Sequence, residues 1–585
     1  MNLDELNSLI NVAMGEEKAD LVLQNGSLVN VYTGEILEEH SVAVKGERIA
    51  WVGKDTRNVT GPETNVIDCT GKFIIPGFID GHTHLILFYQ ADQFLRYAMR
   101  GGTTTIITEL MEVSFPLGYQ GVLEYLESLK NQPIKIFGVA PPMVSNSQST
   151  RSRSINLEQI AELLKRDDIL GLGETYWSAV IERDEKILKY FVETFKAGKM
   201  IAGHTAGARG NRLTAYAAGG VRSCHEPINA AEVMERLRLG LYVLIREGGI
   251  RKELAEISKI KDLQLDLRQL ILATDSITPE QVVEEGYMEA VVQKAVDLGF
   301  DPVCAIQMAT INVAKYWNLD HLIGGIAPSK YADIVILQDL CNIKAEYVIS
   351  NGKVLSKEGR LLLEPRKHTF PAWVRQSMKL TKNFGPEDFE INVKGASDHV
   401  SVRVIEQITE LVTKETILEV PIVEGKIKVD LDKDLIKIAA VDFLTDQLKM
   451  FVGIIKGLRM KKGAFASSMA WDVTNIVVVG ADEKDMAVAV NRVLKLQGGI
   501  VVCSNGEILA ELPMSIGGYM TDLPIEEIVR RLKGIQKEAS GLGIPFPDAE
   551  LSLNTLTTAA IPFFRIYEEG FYDMKNNCSV GLLVN

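Results

Sequence analysis

Ile74-Ile75-Pro76-Gly77-Phe78-Ile79-Asp80-Gly81-His82-Thr83-His84 is the stretch from which the rest of the chain can be read. An apolar run rich in β-branched residues ends in two histidines spaced i, i+2. In a strand that spacing puts both imidazoles on one face, within reach of a single metal ion. A His-x-His pair alone is weak evidence. Here it has a setting: a Pro-Gly opening, a strand, an Asp, then the pair. The chain has only eight histidines in 585 residues, and two others, His204 and His225, close later strand-like runs in the same way.

Between Ile74 and about Thr310, short apolar runs alternate with longer helical stretches, as a parallel β/α arrangement requires. Eight runs can be counted: Phe73–Ile79, Thr103–Thr108, Ile134–Val139, Ile169–Gly173, Met200–Gly203, Gly220–Ser223, Leu241–Ile245 and Leu270–Thr274. Eight such runs over about 240 residues match a (β/α)8 TIM-like barrel, whose active site lies where the C-terminal strand ends converge. Several runs stop abruptly at an ionisable residue. Glu174 closes the fourth, His204 the fifth, Asp275 the eighth, and His225 follows the sixth. A strand-end Asp often caps the next helix, but packing does not explain the whole set. Imidazole and carboxylate without thiolate suit Zn²⁺, Fe²⁺ or Mn²⁺. Six ligands exceed what one open tetrahedral site uses, so two divalent metal ions sharing a carboxylate fit better.

The flanks are short strands. After an amphipathic helix over 3–17, Leu21–Val31 reads as strand, Asn25-Gly26 turn, strand, with Ser41–Val44 and Arg48–Val52 following. Beyond the barrel, Gly324–Leu337 and Ala345–Ser350 return to strand, and the two flanks are expected to pair into one small β domain. From about Pro365 a separate α+β unit begins, large enough for its own core. The expected partition is 1–72 and 323–364 for the composite β domain, 73–322 for the barrel and 365–585 for the C-terminal domain.

The opening stretch resembles the amidohydrolase superfamily, whose barrel begins with Pro-Gly-Phe-Ile-Asp-x-His-x-His and whose return strand follows an Ala-Asp motif, here Ala332-Asp333. Gly463–Ser468, Asn475–Gly480, Ala487–Arg492 and Gly498–Val502 resemble the C-terminal domain of adenine deaminases. The fourth run ends in Glu174, the adenine deaminase pattern, where many relatives carry a carboxylated lysine. The resemblance implies that His82, His84 and Asp275 hold one metal, that His204 and His225 hold the other, and that Glu174 bridges. It further implies hydrolysis of adenine to hypoxanthine and ammonia by a metal-activated water, with Asp275 moving the proton. Glu226 is a candidate for a ring-nitrogen contact or proton shuttle. As a first-turn helix carboxylate ahead of Pro227 it would need no such role. A homodimer is expected by resemblance.

Three departures mark the surroundings of the site. Leu85-Ile86-Leu87-Phe88 stands where the family has Ile-Glu-Ser-Ser, Thr274-Asp275-Ser276 replaces Thr-Asp-Asp, and Ala470-Trp471-Asp472-Val473-Thr474-Asn475 replaces Ala-His-Asp-Ser-His-Asn. Losing groups that read a base by hydrogen bonds changes the substrate more readily than the reaction. The alternative is therefore a related amidohydrolase acting on another aminopurine-like heterocycle or a cyclic amide. Arg151, Arg153, Arg209 and Arg212 lie on loops opening toward the presumed active face. Solvated charge is the default reading for them and an anion clamp the alternative.

Composition narrows the partners. Hydrophobic content of 46% and charged content of 24% are those of a soluble globular protein. A net charge of −14 argues against nucleic acid or an anionic membrane as partner. Six scattered cysteines without a Cys-x-x-Cys pair fit a reducing compartment. With no apolar run of membrane length and an acidic first segment, the protein reads as cytoplasmic.

Overall fold

The computed structural model describes residues 1–263, 265–393, 398–561 and 563–584. Eight parallel strands form the barrel: β1 Phe78–Thr83, β2 Thr103–Thr108, β3 Lys135–Ala140, β4 Ile169–Tyr176, β5 Met200–His204, β6 Ser223–Cys224, β7 Tyr242–Arg246 and β8 Leu270–Ala273. Strands β1 to β5 pair in order, as do β6 to β8. Two seams close the circle. Arg222 N donates to Ile201 O (3.1 Å) between β5 and β6. Asp275 N donates to His82 O (3.0 Å), and His84 N to Asp275 O (2.7 Å), between β8 and β1. β-Branched residues dominate strands that are covered on both faces, as in β2, where all six residues are buried.

The run Phe73–Ile79 is two strands rather than one. Phe73–Pro76 pairs with Leu21–Asn30 and, antiparallel, with Ile334–Leu337 in a nine-stranded sheet built from both flanks of the barrel. At Gly77 the chain changes sheets: its N–H bonds Asp333 O (2.9 Å), while Phe78 N bonds Gly102 O (2.9 Å). A Cβ at Gly77 would lie 2.3 Å from the Thr104 side chain, so only glycine fits the crossing. The expected hairpin at Asn25-Gly26 is also corrected. Leu21–Asn30 is one strand with a bulge there: Asn25 has φ 61° and the register shifts on either side of Gly26. Asn-Gly satisfies a bulge as readily as a two-residue turn, because both need a left-handed residue.

The C-terminal unit is a second nine-stranded sheet running from Lys426–Ile427 at one edge to Glu507–Pro513 at the other. Helix Glu483–Leu496 packs on it, burying Met486, Val490 and Val493. The unit sits on the C-terminal end of the barrel. Phe88-Tyr89, on the loop after β1, pairs in parallel with Met520-Thr521. Ser147 Oγ donates to Glu568 Oε1 (2.6 Å), and Arg153 forms two bonds to Asp442 (3.0 and 3.1 Å). One hydrophobic core runs through both units. Among the described residues, no helix is long and apolar enough to cross a membrane.

Gly171 on β4 lies tight against β5: a Cβ there would stand 2.1 Å from the carbonyl oxygen of Met200. Gly171→Ala is expected to force the two strands apart and cost about 1–3 kcal/mol as an overpacking defect. Urea unfolding against the parent chain measures it.

Candidate metal centre

The side chains singled out at the strand ends meet in one buried cluster at the C-terminal mouth of the barrel. His82 and His84, alternating with Thr83 on β1, both turn toward Asp275. Their Nε2 atoms lie 3.4 and 3.3 Å from its Oδ1. Glu174 at the end of β4 reaches across, 3.1 Å from His225 Nε2, 3.8 Å from His82 Nε2 and 3.9 Å from His84 Nε2. Glu226 Oε1 is 3.3 Å from both His204 Nε2 and His225 Nε2. Three overlapping groups have ligand atoms within 4.8 Å of one another: His82, His84 and Asp275; His82, Glu174 and His225; and His204, His225 and Glu226.

Local structure aims these groups. Asp275 has φ 64°, a left-handed conformation that costs energy for a non-glycine residue. It is held there by the two backbone bonds to β1 given above. Asp80, in the opening stretch, is a brace rather than a ligand. It accepts from Thr274 Oγ1 (2.5 Å), Tyr287 OH (2.6 Å) and His82 N (3.2 Å), tying β1 to β8. His84 donates through Nδ1 to Glu112, which fixes its ring with Nε2 toward the centre. Glu109 Oε1 accepts from Glu174 N (2.9 Å).

The donor set fits divalent cations. His82 Nε2 and His204 Nδ1 are buried without a hydrogen-bond partner among the described residues. The carboxyls of Glu109, Glu112, Glu174, Glu226 and Asp275 crowd around four imidazoles and the guanidinium of Arg246. Buried negative charge in such excess needs compensating cations. Burial opposes ionisation of Asp275, but His82, His84, His225 and Arg246 outweigh it and hold the carboxyl well below the usual range. Burial, then the neighbouring His82, keeps His225 neutral with a pKa of about 4, the state in which imidazole binds metal. Burial, reinforced by the Glu174 charge, pushes Glu109 up to about 8.

Beside the cluster lies a cavity of about 120 Å³. Its polar side is the cluster with Arg246 and Asp472; Leu87, Met111, Phe115, Leu411 and Trp471 supply apolar walls. Leu85 and Ile86 do not face it; they pack in the hydrophobic core. Of the expected apolar replacements, Leu87 and Trp471 therefore stand at the cavity, while Phe88 and Ser276 line a neighbouring one. Glu226 is not a simple helix-start carboxylate: it lines the cavity and pairs with Arg246. The four loop arginines are accounted for elsewhere. Arg153 binds Asp442 and Thr474, Arg151 lies 3.3 Å from Asp184, Arg209 pairs with Glu232, and Arg212 lies 5.5 Å over the Trp177 ring.

Four participants were not foreseen. Glu109 and Arg246 sit at the ends of β2 and β7, and Glu112 one turn beyond β2, so the strand-end signal that picked out Glu174 and Asp275 was present for them. Asp472 comes from the C-terminal unit. It has φ 65°, and its carboxylate accepts from Tyr176 OH (3.0 Å), Thr558 Oγ1 (2.7 Å) and Ala559 N (2.8 Å). Burial pushes it up to about 6.

A barrel of this topology with histidine and carboxylate ligands at its strand ends is that of a metal-dependent amidohydrolase, and residues 73–355 match the model of the amidohydrolase family. Residues 410–578 match the adenine deaminase C-terminal domain. Curated relatives span nearly the whole chain. An adenine deaminase of Moorella thermoacetica is 35% identical, covering 97% of this chain and 96% of its own. Those of Cenarchaeum symbiosum and of Clostridium botulinum are each 33% identical, covering 99% of this chain and 95% and 97% of theirs. The chain belongs to the adenine deaminase family.

Proposed function

We propose that this protein hydrolyses adenine to hypoxanthine and ammonia, with two divalent metal ions (Mn²⁺, Fe²⁺ or Zn²⁺) held by His82, His84, Glu174, His204, His225 and Asp275. The observation that carries the reading is the convergence of all six side chains beside one cavity, in a chain related along nearly its full length to adenine deaminases. His82, His84 and Asp275 form one ligand group and His204 and His225 the other, with Glu174 between them. Bound there, the metals supply the positive charge that makes water nucleophilic at neutral pH.

The chain's own residues do the rest. Asp275, ionised and locked in place, takes the proton from the attacking water and returns it to the departing amino nitrogen at purine C6. Arg246 lies 3.2 Å from Asp275 Oδ2 and also pairs with Glu226, so one guanidinium fixes both carboxylates side by side. Arg246 and the imidazoles keep Glu226 ionised against the effect of burial. In that form it accepts a ring N–H of the substrate. Leu87, Phe115 and Trp471, which line the cavity, surround the substrate with apolar surface and exclude water.

The test is product analysis. Metal-loaded protein supplied with adenine should release hypoxanthine and ammonia in equal amounts; full metal content without either product would overturn the reading. The apolar walls at Leu87 and Trp471 favour one second reading, hydrolysis of another aminopurine-like heterocycle or a cyclic amide, and that outcome would select it. The proposal extends on resemblance to a cytoplasmic homodimer that binds neither nucleic acid nor membrane. Glu112→Gln, which weakens the hold on the His84 ring, is expected to lower metal affinity about 10–100-fold. Metal retention during dialysis against a graded chelator reports it.

A further inference from the structure

A second cavity of about 460 Å³ lies between the barrel and the C-terminal unit. That volume is in the range of small-molecule sites, which favour domain interfaces. Its barrel side is built from the loops after β1, β7 and β8: Phe88, Gly249 and Ile277. Its far side is apolar at Met469, Leu532 and Ile535 and polar at Lys533, Gln536 and Glu550. Three side chains, Leu87, Ile250 and Trp471, line both this chamber and the catalytic cavity, so they form the wall between them.

The wall stands on a particular side of the site. Strands β7 and β1 flank β8, so the loops bearing Ile250 and Leu87 lie to either side of Asp275. Ser276, Ile277 and Thr278, immediately after Asp275, already line the outer chamber. The residue that hands a proton to the leaving nitrogen therefore faces the partition, whereas Glu174 on β4 and His204 on β5 lie across the barrel from it. Trp471 is the largest member of the wall and its backbone is pinned. Thr557 Oγ1 donates to Trp471 O (2.8 Å), and the next residue, Asp472, is tied by three hydrogen bonds.

We infer that Trp471 is the specificity-determining residue on the leaving-group side, closing the site to aminopurines that carry an apolar substituent on the exocyclic nitrogen, and that the outer chamber is where such a substituent would lie. This rests on the deaminase reading. The reaction concerned is the same hydrolysis. Water oxygen bonds to C6, the C6–N bond breaks, and the products are hypoxanthine and a primary amine in place of ammonia. Wild-type protein accepts the bare amino group because nothing then needs to cross the wall.

N6-benzyladenine is the probe, measured against adenine with metal-loaded protein. In Trp471→Ala the ratio of kcat/KM for N6-benzyladenine to that for adenine should rise at least tenfold over wild type, with Trp471→Phe in between. Ile250→Ala, which thins the wall from the barrel side, should move the ratio in the same direction. A ratio unchanged in both alanine variants, or a wild type that already prefers the benzyl compound, overturns the assignment. Absence of adenine turnover in the wild type is a failure of the deaminase reading instead. The wall is then judged from crystals of the Trp471→Ala protein: one continuous cavity from Asp275 to Ile535 supports it, and two separate cavities overturn it.

Discussion

Asparagine in place of Asp275 is expected to lower kcat for adenine about 10³–10⁴-fold, the upper part of the range for loss of a general acid–base group. The substitution isolates chemistry from folding. Asp275 sits at φ 64°, and asparagine is one of the few residues that tolerates this region. Its amide oxygen can still accept from Arg246, and the backbone bonds to His82 and His84 do not involve the side chain. What disappears is the negative charge, the ability to carry a proton and one carboxylate ligand of the metal group, so bound metal per chain is measured beside the kinetics. Alanine would remove the carboxylate too, but it would add strain at a left-handed position. Steady-state kinetics with the thermal transition measured alongside gives the answer. A variant with more than a tenth of wild-type kcat would mean that another group moves the proton.

Replacing Arg246 by methionine is expected to be the most damaging change to stability. The guanidinium is buried and pairs with Glu226, Asp275 and Glu253, the last through bonds of 3.1 and 3.2 Å. Removing one partner of a buried ionic cluster leaves uncompensated charge and costs about 3–5 kcal/mol. Lysine should recover only part, since it cannot hold two carboxylates in the planar fork of arginine. The defect should depend on pH through Glu253, which burial pushes up from 4.5 to about 7 even beside Arg246. Between those values the folded chain binds a proton that the unfolded chain does not, so this group's contribution to stability falls as pH rises through the window. Without the guanidinium its pKa rises further. The methionine variant should therefore lose least at acidic pH, as denaturant melts at pH 6 and pH 8 would show.

The barrel was legible because most of its strands are short, doubly covered apolar runs (β6, expected at 220–223, is only Ser223–Cys224), and the site residues because charged groups at the ends of such runs have no packing reason to be there. Phe73–Ile79 reads as one run for the same cause: two strands in different sheets are contiguous in sequence, and the switch rests on Gly77, whose role is set by Thr104 on the neighbouring strand β2. The Asn25 bulge depends on a left-handed residue, for which hairpin and bulge share one signal. Glu109, Glu112 and Arg246 carry the strand-end signal but bind no neighbour that sequence spacing could name. Asp472 and Trp471 enter the site from a separate unit some 200 residues beyond β8, and only the docking of that unit onto the barrel brings them there.

A two-metal site built from these six strand-end side chains can be tested by titrating metal-depleted protein with Mn²⁺ while measuring bound metal per chain and ammonia released from adenine in the same samples. Release should climb with occupancy and level off at two ions per chain. Ammonia release at full rate from metal-free protein, or none with both ions bound, would contradict it.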